Sequence, residues 1–192
     1  QSLNIEAVDS YPSYLVDILK SLAPKKCKGD PKIVILTPGH LNSAYYEHSF
    51  LADLMGIELV QGSDLYVNNN ITYMKTTEGP KKIDIIYRRI DDEYLDPLYY
   101  KNDSLLGVPG VINSYKTGYV NICSAPGAGL ADDKAVYTFM PDIIKFYLGE
   151  EPILKNIKTW RCYDVQESKY VINNLEKLVV KEVHGSGGYG ML

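Results

Sequence analysis

Ile33, Val34, Ile35 and Leu36 stand in an unbroken row, and that row constrains the fold more than any other stretch. A strand with one wet face alternates apolar and polar residues. A strand written as continuous Val, Ile and Leu is covered on both faces, as in parallel sheets flanked by other layers. The next segments of the chain fit the same architecture. Thr37, Pro38, Gly39, His40, Leu41, Asn42 and Ser43 form a polar loop. Residues 44–55 read as a helix with Asn42 or Ser43 as its cap, Gly56 stops it, and residues 57–60 read as a second short strand. Strand, loop, helix and strand make a βαβ unit, and ligands in such sheets sit beyond the carboxyl ends of the strands.

The remaining pattern is consistent with this start. Ahead of the first strand, Leu15, Ile18, Leu19 and Leu22 fall at helical spacing, and Pro24 ends that helix. Residues 65–67 and 71–74 flank Asn68, Asn69 and Asn70, which tolerate positive φ, so a β-hairpin is expected. Residues 83–87 and 119–123 read as further strands, and residues 107–115 as a short helix with Pro109 near its start. A helix over 135–140 is succeeded by another from Pro141 to Leu148, stopped by Gly149. The predicted fold class is α/β, a three-layer Rossmann-like domain with a mainly parallel sheet over residues 1–150. A linker near 150–156 opens a second unit over 151–192. There, residues 157–162 read as a strand, 168–175 as a helix, and 178–181 as a strand entering a glycine-rich turn.

Composition removes several function classes. The 192 residues are 45% hydrophobic and 23% charged, with a net charge of -4 and a pI near 5.4. No basic stripe exists to hold a nucleic acid. No apolar run has the length of a membrane helix, and no signal-peptide pattern begins at Gln1. Cys27, Cys123 and Cys162 lack metal-type spacing and leave one thiol over in any pairing, which fits a cytoplasmic protein with reduced thiols. Seventeen tyrosines against three phenylalanines put many ring-plus-hydroxyl side chains at core edges or cleft walls.

Two stretches carry chemistry. Lys181 precedes Glu182, Val183 and His184, then Gly185, Ser186, Gly187, Gly188, Tyr189 and Gly190. Backbone N–H groups of such a loop can close around phosphate oxygens while the lysine adds a point charge; a plain glycine hairpin explains the same composition. The loop lacks the Gly-Lys-Ser/Thr of a Walker A motif, and no G-x-G-x-x-G comes after the first strand. The other stretch is the exit of the 83–87 strand: Arg88, Arg89, Ile90, Asp91, Asp92, Glu93 and, further on, Asp96. Two guanidinium groups there suit a carboxylate or phosphate with bidentate geometry, or else pair with the acids beside them as a structural network. His40 in the crest loop, with Glu47 and His48 on the helix, completes the candidate chemistry. His40, His48 and His184 lack close ligand spacing, so no structural zinc or other metal site is expected. Asp132 and Asp133 open a helix, where the dipole favours acids.

Together, Leu36-Thr37-Pro38-Gly39, Asn42-Ser43-Ala44-Tyr45, Glu47-His48, Ile86-Tyr87-Arg88-Arg89-Ile90-Asp91-Asp92, Leu105-Leu106-Gly107-Val108-Pro109-Gly110, Ala131-Asp132-Asp133-Lys134 and Val180-Lys181 with the glycine run carry a likeness. The chain resembles the middle of the circularly permuted ATP-grasp proteins, a bacterial family related to glutathione synthetase and glutathionylspermidine synthase. The resemblance implies a fragment of an ATP-dependent carboxylate–amine or thiol ligase acting through an acylphosphate. Its partners would be small-molecule or peptide carboxylate and amine substrates, with neither nucleic acid nor membrane. ATP would lie on Lys181, Gly185, Ser186, Gly187, Gly188 and Gly190, and Arg88 and Arg89 would bind the acceptor's carboxylate. Mg²⁺ ligands are expected before Gln1, and the remaining nucleotide contacts after Leu192, so the fragment alone is expected to be inactive. Glu182 and His184 stand where the family usually has Pro and Asp. That departure motivates the alternative, a non-catalytic scaffold or ligand-binding module.

Overall fold

A computed structural model describes residues 8–185 and 190–192. The residues group into two compact units, Gln1–Gly127 and Ala128–Leu192. The composition change near 150 suggested a later boundary; the helix over 134–148 is grouped with the later residues instead.

In the first unit, four parallel strands form the central sheet in the order β2-β1-β6-β7: β1 (Ile33–Leu36), β2 (Glu58–Val60), β6 (Ile85–Arg88) and β7 (Asn121–Cys123). The unbroken apolar row is β1, and all four of its residues are buried. Strand pleating sends Ile33 and Ile35 to one face and Val34 and Leu36 to the other. On the first face, Ile33, Ile35 and Ile85 pack with Leu19 of α1 (Tyr11–Ser21) and with Ala52 and Met55 of α2 (Tyr45–Met55). On the second, Val34, Leu36 and Ile86 pack with Leu65, Met74, Val111 and Ile112. Burying one such side chain stabilises the fold by about 1.5–3 kcal/mol.

The second covering layer differs from the flanking helices of a doubly wound sheet. It is built from a three-stranded antiparallel sheet, β3 (Leu65–Asn68), β4 (Ile71–Met74) and β5 (Lys81–Lys82), together with α3 (Asp92–Leu95) and α4 (Val111–Lys116). The expected hairpin is β3–β4, with Asn69 and Asn70 at φ 50° and 61°. In α1 and the two residues after it the packed side is Leu15, Val16, Leu19 and Ala23, while Ile18 and Leu22 are exposed. The packed side is rotated from the predicted stripe and continues back to Pro12, which is buried on the same face.

Two close approaches hold the unit together. Gly107 lies against the backbone carbonyls of Tyr94 and Leu95, and Gly62 against those of Leu106 and Gly107; any Cβ would collide there. Asp96, fully buried, accepts hydrogen bonds from the backbone N–H groups of Leu98 (3.0 Å), Gly110 (3.1 Å) and Ile112 (3.0 Å). It therefore ties α3 to the start of α4.

The second unit contains α5 (Lys134–Leu148) and α6 (Val165–Ile172). Pro141 does not divide α5 into two helices. Proline removes the hydrogen bond to the carbonyl four residues back, but that carbonyl, on Tyr137, accepts from Asn156 Nδ2 at 3.0 Å, and the helix runs on. Residues 157–162 form no strand; Ile157 N–H donates to the Tyr137 hydroxyl at 2.9 Å, and Trp160 stacks on Tyr170. Helix α6 starts before Ser168 because Asp164 caps it, accepting from Gln166 and Glu167 N–H at 2.9 Å each. Among the described residues no helix is long and apolar enough to cross a membrane.

Candidate functional site

The strand order β2-β1-β6-β7 locates the site. The chain runs from β1 to β2 on one side, leaves to build β3–β5, and returns as β6 on the other side of β1. The direction of growth reverses between β1 and β6. Beyond the carboxyl ends of two such strands, the loops part and leave room for a ligand. Residues 37–42 leave β1 there, and residues 89–91 leave β6. Arg89 N–H still donates to Leu36 O at 2.8 Å, and Thr37 N–H to Val60 O at 2.9 Å, so both exits are tied to the sheet.

The two arginines differ. Arg88 is a brace: its side chain is 7% exposed. Nε donates to Ser124 O (2.6 Å), Nη1 to Ile90 O (2.7 Å), and Nη2 to Ala125 O (3.1 Å) and Asp92 Oδ1 (2.8 Å). It stitches the β6 exit to the β7 exit. Arg89 is 29% exposed and makes one ion pair, Nη2 to Glu47 Oε1 at 2.6 Å. Nη2 commits one hydrogen to Glu47, so one complete two-donor edge of the fork has no partner among the described residues.

Glu47 and His48, neighbours on the first turn of α2, divide the work. Glu47 points outward to Arg89, with its side chain 64% exposed. His48 points inward and is 3% exposed. Its Nδ1 lies 2.9 Å from Thr37 Oγ1, which accepts from Gly39 N–H at 3.3 Å. Which of the two atoms donates depends on the imidazole tautomer, since a hydroxyl that accepts from Gly39 can still either donate to Nδ1 or accept from it. Burial, and then the Arg89 charge, hold the His48 pKa below its ordinary value. Gly39, at φ 103°, completes the turn; a Cβ there would stand 2.6 Å from Gln61 Oε1. The expected Asn42 or Ser43 cap is absent: Ala44 is the N-cap, and Asn42 Oδ1 accepts from Ala44 N–H at 2.9 Å in a turn ahead of the helix. His40 is exposed.

In the second unit, Val180 and Leu192 exchange both backbone hydrogen bonds, at 2.9 and 3.0 Å. This single antiparallel pair is what the expected 178–181 strand forms among the described residues. Lys181 is exposed and has no partner among the described residues, and Gly190 sits at φ 64° with the Glu182 side chain against it. Ser186, Gly187 and Gly188 lie outside the described residues. Lys134 Nζ donates to the carbonyls of Val183 and Gly185. Asp133 caps α5 through Oδ1, accepting from Ala135 N–H (2.7 Å) and Val136 N–H (3.1 Å), while Oδ2 lies 3.5 Å from His184 Nδ1. The Asp133-Lys134 pair therefore holds the stem beside Gly185, a role that the helix-dipole reading of those acids missed. Nothing in their spacing points so far ahead in the chain.

A family profile described as a circularly permuted ATPgrasp matches residues 1–192. The chain belongs to the circularly permuted ATP-grasp family. It is 49% identical over its whole length to an uncharacterized protein of Synechocystis, of which it spans 40%. It is 50% identical over 188 residues, 98% of the chain, to one of Mycobacterium bovis, of which it spans 34%. It is also 38% identical over 181 residues, 94% of the chain, to a Frankia alni protein named "Putative glutamate--cysteine ligase 2-3", of which it spans 21%. The chain thus covers well under half of these relatives. Among the described residues no three His, Cys, Asp or Glu side chains cluster to hold a metal ion.

Proposed function

We propose that the chain supplies the acceptor-binding, Rossmann-like domain and the opening of the small lobe of an ATP-dependent carboxylate–amine or carboxylate–thiol ligase. The observation that carries this reading is Arg89: a guanidinium with an unengaged edge, fixed at the switch point between β1 and β6. Arg88, equally prominent in the sequence, positions the surrounding loops and touches no substrate. Lys181 and the glycine run contact the ATP phosphates, with Lys134 and Asp133 holding the stem.

In this reaction a carboxylate oxygen attacks the γ-phosphorus and ADP leaves. An amine or thiol then attacks the acylphosphate carbonyl, a proton is lost from the nucleophile, and phosphate leaves. Bound Mg²⁺ would neutralise charge on the phosphoryl oxygens. The relatives named as glutamate–cysteine ligases support amino-acid-sized substrates. The competing reading, a scaffold without chemistry, draws on Glu182, whose carboxylate beside Gly190 adds negative charge near the loop. Release of ADP by the full-length protein, screened against amino acids and short peptides, separates the two. Acceptor-dependent ADP supports the ligase, and failure to bind ATP at all overturns it.

A further inference from the structure

Glu47 sits 2.6 Å from the one arginine at the switch point that retains donors, and its carboxylate is more exposed than the guanidinium it contacts. A site built only for an acceptor carboxylate gains nothing from a second carboxylate there, which repels the ligand and occupies one donor. Compensation of the Arg89 charge engages only Oε1 of Glu47. Arg88 is already neutralised by Asp92 at 2.8 Å, and Arg89 is held to the sheet through its backbone, not through Glu47. The result is a cation and an anion side by side, each with unengaged polar atoms: one edge of the Arg89 fork, and Oε2 of Glu47, which has no partner among the described residues. Both are mounted on rigid elements. Arg89 continues β6, and Glu47 is adjacent to His48, whose burial and 2.9 Å contact with Thr37 fix the first turn of α2.

We infer that Arg89 and Glu47 form a zwitterion-binding pair, so that the ligand of this site is an α-amino acid or a peptide end carrying both a free carboxylate and a free ammonium. The carboxylate takes the open edge of Arg89 in bidentate fashion, and the ammonium donates to Glu47. A net-neutral pair discriminates against phosphate and other dianions, which would meet Glu47 without compensation. This inference rests on the reading of Arg89 as the acceptor-binding residue and adds Glu47 as the group that selects the ligand's class.

The test is equilibrium binding to the full-length protein without ATP, by calorimetry or ligand-observed NMR. The probes are the standard α-amino acids, each beside its N-acetyl form. At least one free amino acid is expected to bind about tenfold or more tightly than its N-acetyl form, since one charge-assisted contact is lost. Glu47→Gln should abolish that preference by weakening the free amino acid, and Glu47→Asp should restore part of it; circular dichroism confirms that both variants are folded. Equal binding of free and N-acetyl forms, no binding by any amino acid, or a preference that survives Glu47→Gln would each overturn the pair. The ligase reading fails separately. A protein that prefers zwitterions yet releases no ADP keeps the pair and loses the ligase. One that releases ADP with N-blocked acceptors keeps the ligase and loses the pair.

Discussion

Replacing Arg88 and Arg89 one at a time by methionine should give opposite phenotypes from adjacent positions. Arg88→Met removes a 7% exposed guanidinium, strands the carbonyls of Ser124, Ile90 and Ala125, and takes the counter-ion from Asp92, whose Oδ1 keeps the Gly127 N–H at 3.1 Å. Hydrogen bonds to a charged group contribute about 1.5–3 kcal/mol each, but the loop carbonyls are partly exposed and regain water, so the net loss is about 3–4 kcal/mol. Arg89→Met removes one partly exposed ion pair with Glu47, which is about 1 kcal/mol or less. In urea unfolding monitored by far-UV circular dichroism, a loss of about 3 kcal/mol moves the midpoint by roughly 1.5 M at a typical slope of about 2 kcal/mol per M. Arg88→Met should show that shift, and Arg89→Met should unfold close to the parent. If Arg89→Met loses as much stability as Arg88→Met, the division into brace and binding group is wrong.

Gly107→Ala should lose about 3 kcal/mol or more, because its Cβ meets backbone carbonyls of Tyr94 and Leu95 that cannot rotate away; thermal unfolding measures it, and a near-native midpoint would refute the contact. Asp96→Asn should lose about 2–4 kcal/mol, since the amide oxygen can still accept from Leu98 and Gly110 N–H but the NH₂ then faces the Ile112 N–H as donor against donor; parent-like urea unfolding would show that Asp96 is not the tie. His48 gives a pH signature. Its folded pKa lies below the unfolded value of 6.5, so the unfolded state binds the extra proton, and stability present above that value falls as pH drops toward the folded pKa. Stability should decline as pH falls through 6.5 and below, less so in His48→Gln, and an unchanged slope in that variant would remove His48 as the source.

The sheet was legible wherever a single strand carried its own signature. The row 33–36 has no polar face to offer water, and it is β1 to the residue; Asn68, Asn69 and Asn70 announce a turn that the backbone adopts. The features that could not be read depend on partners distant in sequence. Pro141 should end a helix, and does not, because Asn156 replaces the missing donor. Residues 157–162 read as a strand, yet find ring and hydroxyl partners in place of a ladder. At the site, position was legible but assignment was not. Arg88 and Arg89 are chemically identical and adjacent, and only the pleat of β6 turns one toward the β7 exit and the other toward α2. The sequence singles out Glu47 and His48 as candidates without revealing that one faces Arg89 and the other Thr37.

Whether Arg89 reads the acceptor is decided most directly by steady-state kinetics of Arg89→Lys in the full-length protein, with ATP and acceptor varied independently. Lysine keeps the charge and loses the two-donor edge. The acceptor's KM is expected to rise about tenfold, with the KM for ATP unchanged. Equal weakening for ATP and acceptor, or no change for either, would contradict that role.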